Sequence, residues 1–150
     1  MFLITYKKKD FFIDQIINLL LSNTDYLTND KNKSVFKKIY IENFNESIKI
    51  FINDIKIDLK KPIIYNNLHS NIFSLVSNTF FRFNDFTYYP LLQKIENQNK
   101  NIKLTYTHSI ILNNLLLNKS GIEKLHLYKI LWPKDKNIQL NKLDTHLTNL

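Results

Sequence analysis

The sequence predicts an α/β layer over residues 1–79 and an α+β unit, a sheet followed by three helices, over residues 80–150. Three observations predict it. Strand and helix periods alternate through the first half, an aromatic hairpin-like stretch opens the second, and three helical patterns with short connections close the chain.

In the first half, Phe2-Leu3-Ile4-Thr5 reads as a short buried strand. Phe12, Ile13, Ile16, Ile17 and Leu20 recur at helical spacing and give a helix through about Leu21. Lys31 to Lys38 is a basic polar connection, and Lys38-Ile39-Tyr40-Ile41 a second strand. From Asn45 to Ile52, the residues Ile48, Phe51 and Ile52 share one helical face. Ile55, Ile57 and Leu59 alternate with Lys56 and Asp58, which is strand period. After Lys61-Pro62, the spacing of Leu68, Ile72, Leu75 and Val76 marks another amphipathic helix.

In the second half, Phe80 to Tyr89 alternates around Asn84-Asp85, the pattern of a hairpin, and Pro90 ends it because proline cannot donate to a ladder. Gln93 to Ile95 and Ile102 to Leu104 are strands on either side of the turn Asn97 to Asn101. Thr105 is an N-cap for a helix carrying Ile110, Ile111, Leu112, Leu115 and Leu116, which ends at Gly121. A second helix runs from about Ile122 to Leu131 and stops at Trp132-Pro133, and a third starts at about Leu140. Sheet, then three helices, is the order of a winged helix-turn-helix, here with its wing missing. Trp132 is expected to be largely buried between the second and third helices.

The third helix has two faces. Leu140, Leu143, Leu147 and Leu150 form one apolar stripe. Asn141, Lys142, Thr145, Thr148 and Asn149 lie opposite, with Asp144 and His146 on the flanks. That polar face suits a major groove. Asn pairs bidentately with adenine, Thr meets a thymine methyl, and Lys reaches guanine or phosphate. The solvated side of an ordinary amphipathic helix has the same pattern.

Composition bounds the remaining classes. A net charge of +8 favours an anionic partner, and residues 80–150 hold ten basic against five acidic side chains. With no Cys, disulfides and thiolate metal sites are ruled out. The window Phe11 to Leu21 is interrupted by Asp14, Gln15 and Asn18, so neither a membrane span nor a signal peptide is read, and a cytoplasmic location is expected. His69, His108, His126 and His146 lack the paired spacing of a zinc site, and there is no Gly-rich phosphate loop. No enzyme, cofactor or metal site is expected.

Residues 80–150 resemble the DNA-binding domain of OmpR/PhoB-type response regulators. The likeness rests on Leu104-Thr105 opening the first helix, the run Leu127-Tyr128-Lys129-Ile130-Leu131-Trp132 closing the second, and Asp144-Thr145-His146-Leu147-Thr148-Asn149-Leu150 in the third. The last stretch follows the family's Asp-x-His-Ile-x-x-Leu-Arg pattern with Leu147 in place of Ile. Two departures stand out. His108 replaces the acidic residue usual three after the Thr, and the chain ends at Leu150, before the pattern's Arg and wing hairpin. A fragment, or a form without the wing, is expected on that ground.

Residues 1–79 resemble a degenerate receiver through Lys61-Pro62 after a strand and before an amphipathic helix. Where a receiver's cation-binding acidic pair should stand, the chain has Tyr6-Lys7-Lys8-Lys9-Asp10. Glu42 follows the second strand in place of a phosphorylatable Asp. No phosphoryl transfer is expected. The resemblance implies a sequence-specific transcriptional regulator whose partner is double-stranded DNA, bound as a homodimer or in tandem, with Asn141, Lys142, Thr145, His146, Thr148 and Asn149 as the DNA-binding residues. The alternative is a winged-helix protein-interaction module that has lost DNA binding.

Overall fold

Apolar residues at alternating positions make strands that bury one side, and apolar residues at helical spacing make helices that cover them. A computed structural model of the chain describes every residue except Lys7, Lys9 and Asn99. It is a mixed α/β fold with two sheets and five helices among the described residues, divided into two units, Met1–Asn78 and Thr79–Leu150.

In the first unit β1 (Phe2–Tyr6) buries Phe2, Leu3 and Ile4. Asp10 then caps α1 (Phe11–Asn23), its Oδ1 accepting from the backbone N–H groups of Phe12 and Ile13 at 2.9 and 3.2 Å. Ile13, Ile16, Ile17 and Leu20 form the buried stripe of α1, which packs on the sheet at β1, β2 (Leu27–Thr28) and β3 (Lys38–Asn43). Both β2 and β3 pair parallel with β1; β3, β4 (Ser47–Ile52) and β5 (Ile55–Lys60) form an antiparallel meander. The order is β2-β1-β3-β4-β5, and only β4 runs against the other four. A cis Lys61–Pro62 bond leads from β5 towards α2 (Tyr65–Ser77), which buries Leu68, Ile72, Leu75 and Val76.

The helix expected over Asn45 to Ile52 is the strand β4. Ile48, Ile50 and Ile52 are buried at period two, and Ile50 and Ile52 face Ile41 and Ile39 in register. The spacing of Ile48, Phe51 and Ile52 matches a helical face by coincidence, and pairing with β3 on one side and β5 on the other decides the matter. β2, in a stretch to which the sequence reading assigned no element, is too short to leave a periodic signal.

The second unit opens on a four-stranded antiparallel meander: β6 (Phe81–Phe83), β7 (Phe86–Tyr89), β8 (Lys94–Asn97) and β9 (Lys100–Lys103). Asn84, at φ 44°, makes the first turn with Asp85; of the second turn, Asn99 lies outside the described residues. The last two strands sit further along than Gln93–Ile95 and earlier than Ile102–Leu104, because Ile95 pairs with Ile102 and sets their register. Thr105 Oγ1 accepts from the His108 N–H at 3.2 Å and caps α3 (Tyr106–Leu117). α3 stops short of Gly121, which instead turns the chain at φ 92° towards α4 (Lys124–Leu131). α5 (Leu140–Thr148) follows.

Tyr88 ties this sheet to α3. It is 1% exposed, and its hydroxyl lies 3.1 Å from Ser109 Oγ and donates to Asn113 Oδ1 at 2.7 Å. Burial pushes the phenol's pKa up, against the hydrogen bond to Ser109. Beneath the helices, Ile111, Leu127, Tyr128 and Leu143 form a buried cluster, with Ile122, Leu131 and Trp132 packed against it. No helix among the described residues is long and apolar enough to cross a membrane.

Candidate nucleic-acid interface

α5 has one buried residue. Leu143 is fully buried against Ile111, Leu127 and Tyr128, whereas Leu140, Leu147 and Leu150 are 37, 37 and 40% exposed. The four-leucine stripe is therefore an anchor with a half-wet margin rather than a continuous seam.

Asn141, Thr145, Thr148 and Asn149 are exposed and fall at i, i+4, i+7 and i+8 along α5 and its C-cap. Thr145 Oγ1 donates to the Asn141 carbonyl at 3.1 Å, and Thr148 Oγ1 to the Asp144 carbonyl at 2.9 Å. Each hydroxyl hydrogen is thus used within the helix, so these threonines offer an incoming surface a methyl and an acceptor. Asn141 Oδ1 accepts from the Lys142 N–H at 3.0 Å.

Lys142 and His146, expected on the DNA-facing surface, are half-buried and engaged elsewhere. Lys142 Nζ lies 3.3 Å from Asp135 Oδ2 and 4.1 Å from the centre of the Trp132 ring. The Tyr128 hydroxyl donates to the same Asp135 oxygen at 2.9 Å. That bond first, then Lys142, holds the Asp135 carboxyl below its usual pKa. His146 turns towards the body of the unit, its ring 5.7 Å from Trp132 and 5.5 Å from His108. A helical wheel puts Lys142 on the polar face and His146 on its flank, but it cannot show that the loop before α5 supplies an acceptor and an aromatic ring on that side.

Trp132 is half-buried, not largely buried as its place at a helix end suggested. It is the C-cap of α4, and its ring lies against Tyr128 at 4.8 Å, with Lys142 across its face. Lys124 Nζ and Asp144 Oδ1, 2.5 Å apart and half-exposed, join the start of α4 to α5. Asp135 is the residue sequence reasoning missed here, and Tyr128 was read only as part of the run that closes the second helix; no spacing in the sequence signals their hydrogen bond.

The first unit gathers a second constellation at the ends of β1, β3 and β5, which run in one direction. Asp10 Oδ2 accepts from Asn43 Nδ2 at 2.8 Å, while its Oδ1 is held by the α1 cap. The Asn43 bond, the cap and the charge of Lys61 together keep the Asp10 carboxyl below its usual pKa, against some desolvation. Lys61 Nζ donates to the Phe44 carbonyl at 2.7 Å. Glu42 lies inside β3, opposite Lys49 rather than beyond the strand. Within the lysine run, Lys7 and Lys9 lie outside the described residues. No group of three His, Asp or Glu among the described residues is placed to hold a metal ion.

No protein-family model matches the chain, and no curated protein matches it by sequence.

Proposed function

We propose that the chain is a sequence-specific DNA-binding transcriptional regulator of the response-regulator type, with residues 80–150 as a winged helix-turn-helix unit and α5 as its reading helix. The observation that carries this reading is the exposed row Asn141, Thr145, Thr148 and Asn149 on a helix anchored from behind by Leu143. An antiparallel sheet followed by three helices supports it, and so does the net positive charge. Asn141 and Asn149 carry the bidentate chemistry that reads adenine, and the threonine methyls fit thymine. Lys142 supports the helix through Asp135 and Trp132.

Binding-site selection from random duplexes, followed by titrations at two salt concentrations, tests this. Replacing Asn141 or Asn149 by Ala is expected to relax base preference at one position, by about 1–3 kcal/mol for a bidentate contact. Lys142→Ala is expected to weaken binding to all sequences alike, because it removes the contacts with Asp135 and Trp132 that steady α5. His146→Ala should leave base preference unchanged, since that ring faces inward. Equal losses on selected and random DNA for every variant would remove α5 as the reader.

A second reading, a protein-interaction module on the same scaffold, is favoured by one observation. Ile130, Ile138, Leu140 and Leu147 leave apolar surface on α4, α5 and the loop between them. A complete lack of salt-dependent DNA affinity would decide for it.

Residues 1–78 fit the receiver resemblance in strand order, since 2-1-3-4-5 is the flavodoxin-like order, though β4 is reversed here. Both oxygens of Asp10 are committed to internal hydrogen bonds, and no second carboxylate stands beside it in the gathered set. Incubation with a small-molecule phosphodonor and magnesium is therefore expected to leave the intact mass unchanged. A stable adduct on Glu42 or any Asp would overturn this.

A further inference from the structure

β5 is the outer strand of the five-stranded sheet, with Ile55 53% exposed and Lys56, Asp58 and Lys60 also exposed. Its hairpin to β4 has a two-residue loop, Asn53-Asp54, closed by Ile52 opposite Ile55. A two-residue hairpin loop is closed by a pair that exchanges both backbone hydrogen bonds, and such pairs alternate along an antiparallel ladder. Ile55, Ile57 and Leu59 therefore direct their N–H and C=O groups to β4, and Lys56, Asp58 and Lys60 direct theirs off the free edge.

We propose that this edge pairs with β5 of a second copy of the chain, antiparallel, about a twofold axis through Ile57. Charged edge residues ordinarily block pairing. Here Lys56-Ile57-Asp58 is antisymmetric in charge about its centre, so two copies attract. In that register Lys56 stands opposite Asp58 of the second copy, and Asp58 opposite its Lys56. Both pairs are hydrogen-bonded ones that use the outward groups. Ile57 meets Ile57 in the closer non-hydrogen-bonded pair, and Ile55 meets Leu59 twice on the apolar face. Ile64 is 60% exposed in a groove beside the strand that it shares with Leu59 and Ile63 and with the polar Asp58, Lys60 and Asn67, so it offers apolar surface near the second copy's Ile55.

Other registers are worse. Centring on Asp58 or Lys56 sets like charges opposite each other. Centring on Leu59 sets Ile57 opposite Lys61 and runs the strand into Pro62, which has no N–H to donate. The pairing joins two sheets into one and is independent of whether α5 reads DNA.

Sedimentation of the full chain over a range of concentrations tests it, with circular dichroism reporting the fold. The wild type is expected to dimerise. Asp58→Lys, and independently Lys56→Asp, should each raise the dimer dissociation constant roughly tenfold or more, since the twofold axis doubles every charge clash. The double variant K56D/D58K restores opposite charges in the same register and should recover the dimer. A wild-type monomer at every concentration, a dimer indifferent to both single reversals, or a folded double variant that stays monomeric would each overturn the proposal.

Discussion

Tyr88→Ala is expected to destabilise residues 79–150 by about 3–5 kcal/mol, the usual cost of deleting a buried aromatic ring. Its ring is 1% exposed, and its hydroxyl satisfies Ser109 and Asn113 on α3. Truncation thus opens a cavity and strands polar groups in one step. Tyr88→Phe separates the two effects. It keeps the ring and loses only the hydroxyl, for about 1–2 kcal/mol. Trp132 is the chain's single tryptophan, so its fluorescence follows unfolding of this unit alone. A Tyr88→Ala melt that overlays the wild type would show that β7 and α3 are held together by something else.

Leu143→Ala is expected to cost about 2–5 kcal/mol and to fall chiefly on α5. Leu143 is that helix's only fully buried residue, and it closes the cluster with Ile111, Leu127 and Tyr128. Leu147→Ala, at a position already 37% exposed, should cost clearly less although the two leucines share one stripe. The check is amide hydrogen exchange along α5. In Leu143→Ala those amides should exchange much faster, while the amides of β7 and β8 change little. Equal effects from the two leucine variants would mean that the stripe is packed as a continuous seam.

Helices with a dominant apolar stripe were legible in the sequence. α2 buries the residues its spacing picked out, α1 buries all of its own but Phe12, which is 37% exposed, and Thr105 caps α3 as its position foretold. The segment read wrongly, β4, carries an apolar set that satisfies both periods, and only its neighbours in the sheet separate them. At the candidate site, the outward row on α5 was legible because it depends on helical geometry alone. The inward turn of His146 and the engagement of Lys142 were not, since both depend on where Trp132 and Asp135 lie after the chain leaves α4. Asp10, Asn43 and Lys61 were hidden for a related reason. They are far apart in sequence, and it is strand order that gathers them.

The scarcity of glycine has left a record in the turns. At three described positions of positive φ the chain uses an amide side chain: Asn53 at 50°, Asn84 at 44° and Gln93 at 51°, all near the centre of the left-handed well. The chain's single glycine stands at residue 121, where φ is 92°. Nothing lies within 4 Å of where a Cβ would sit there, so crowding does not explain its retention. The backbone angle does, because it lies well outside the region where asparagine is tolerated. A side chain at residue 121 would therefore be strained by the backbone alone, which makes the bend between α3 and α4 the described turn least able to take an asparagine.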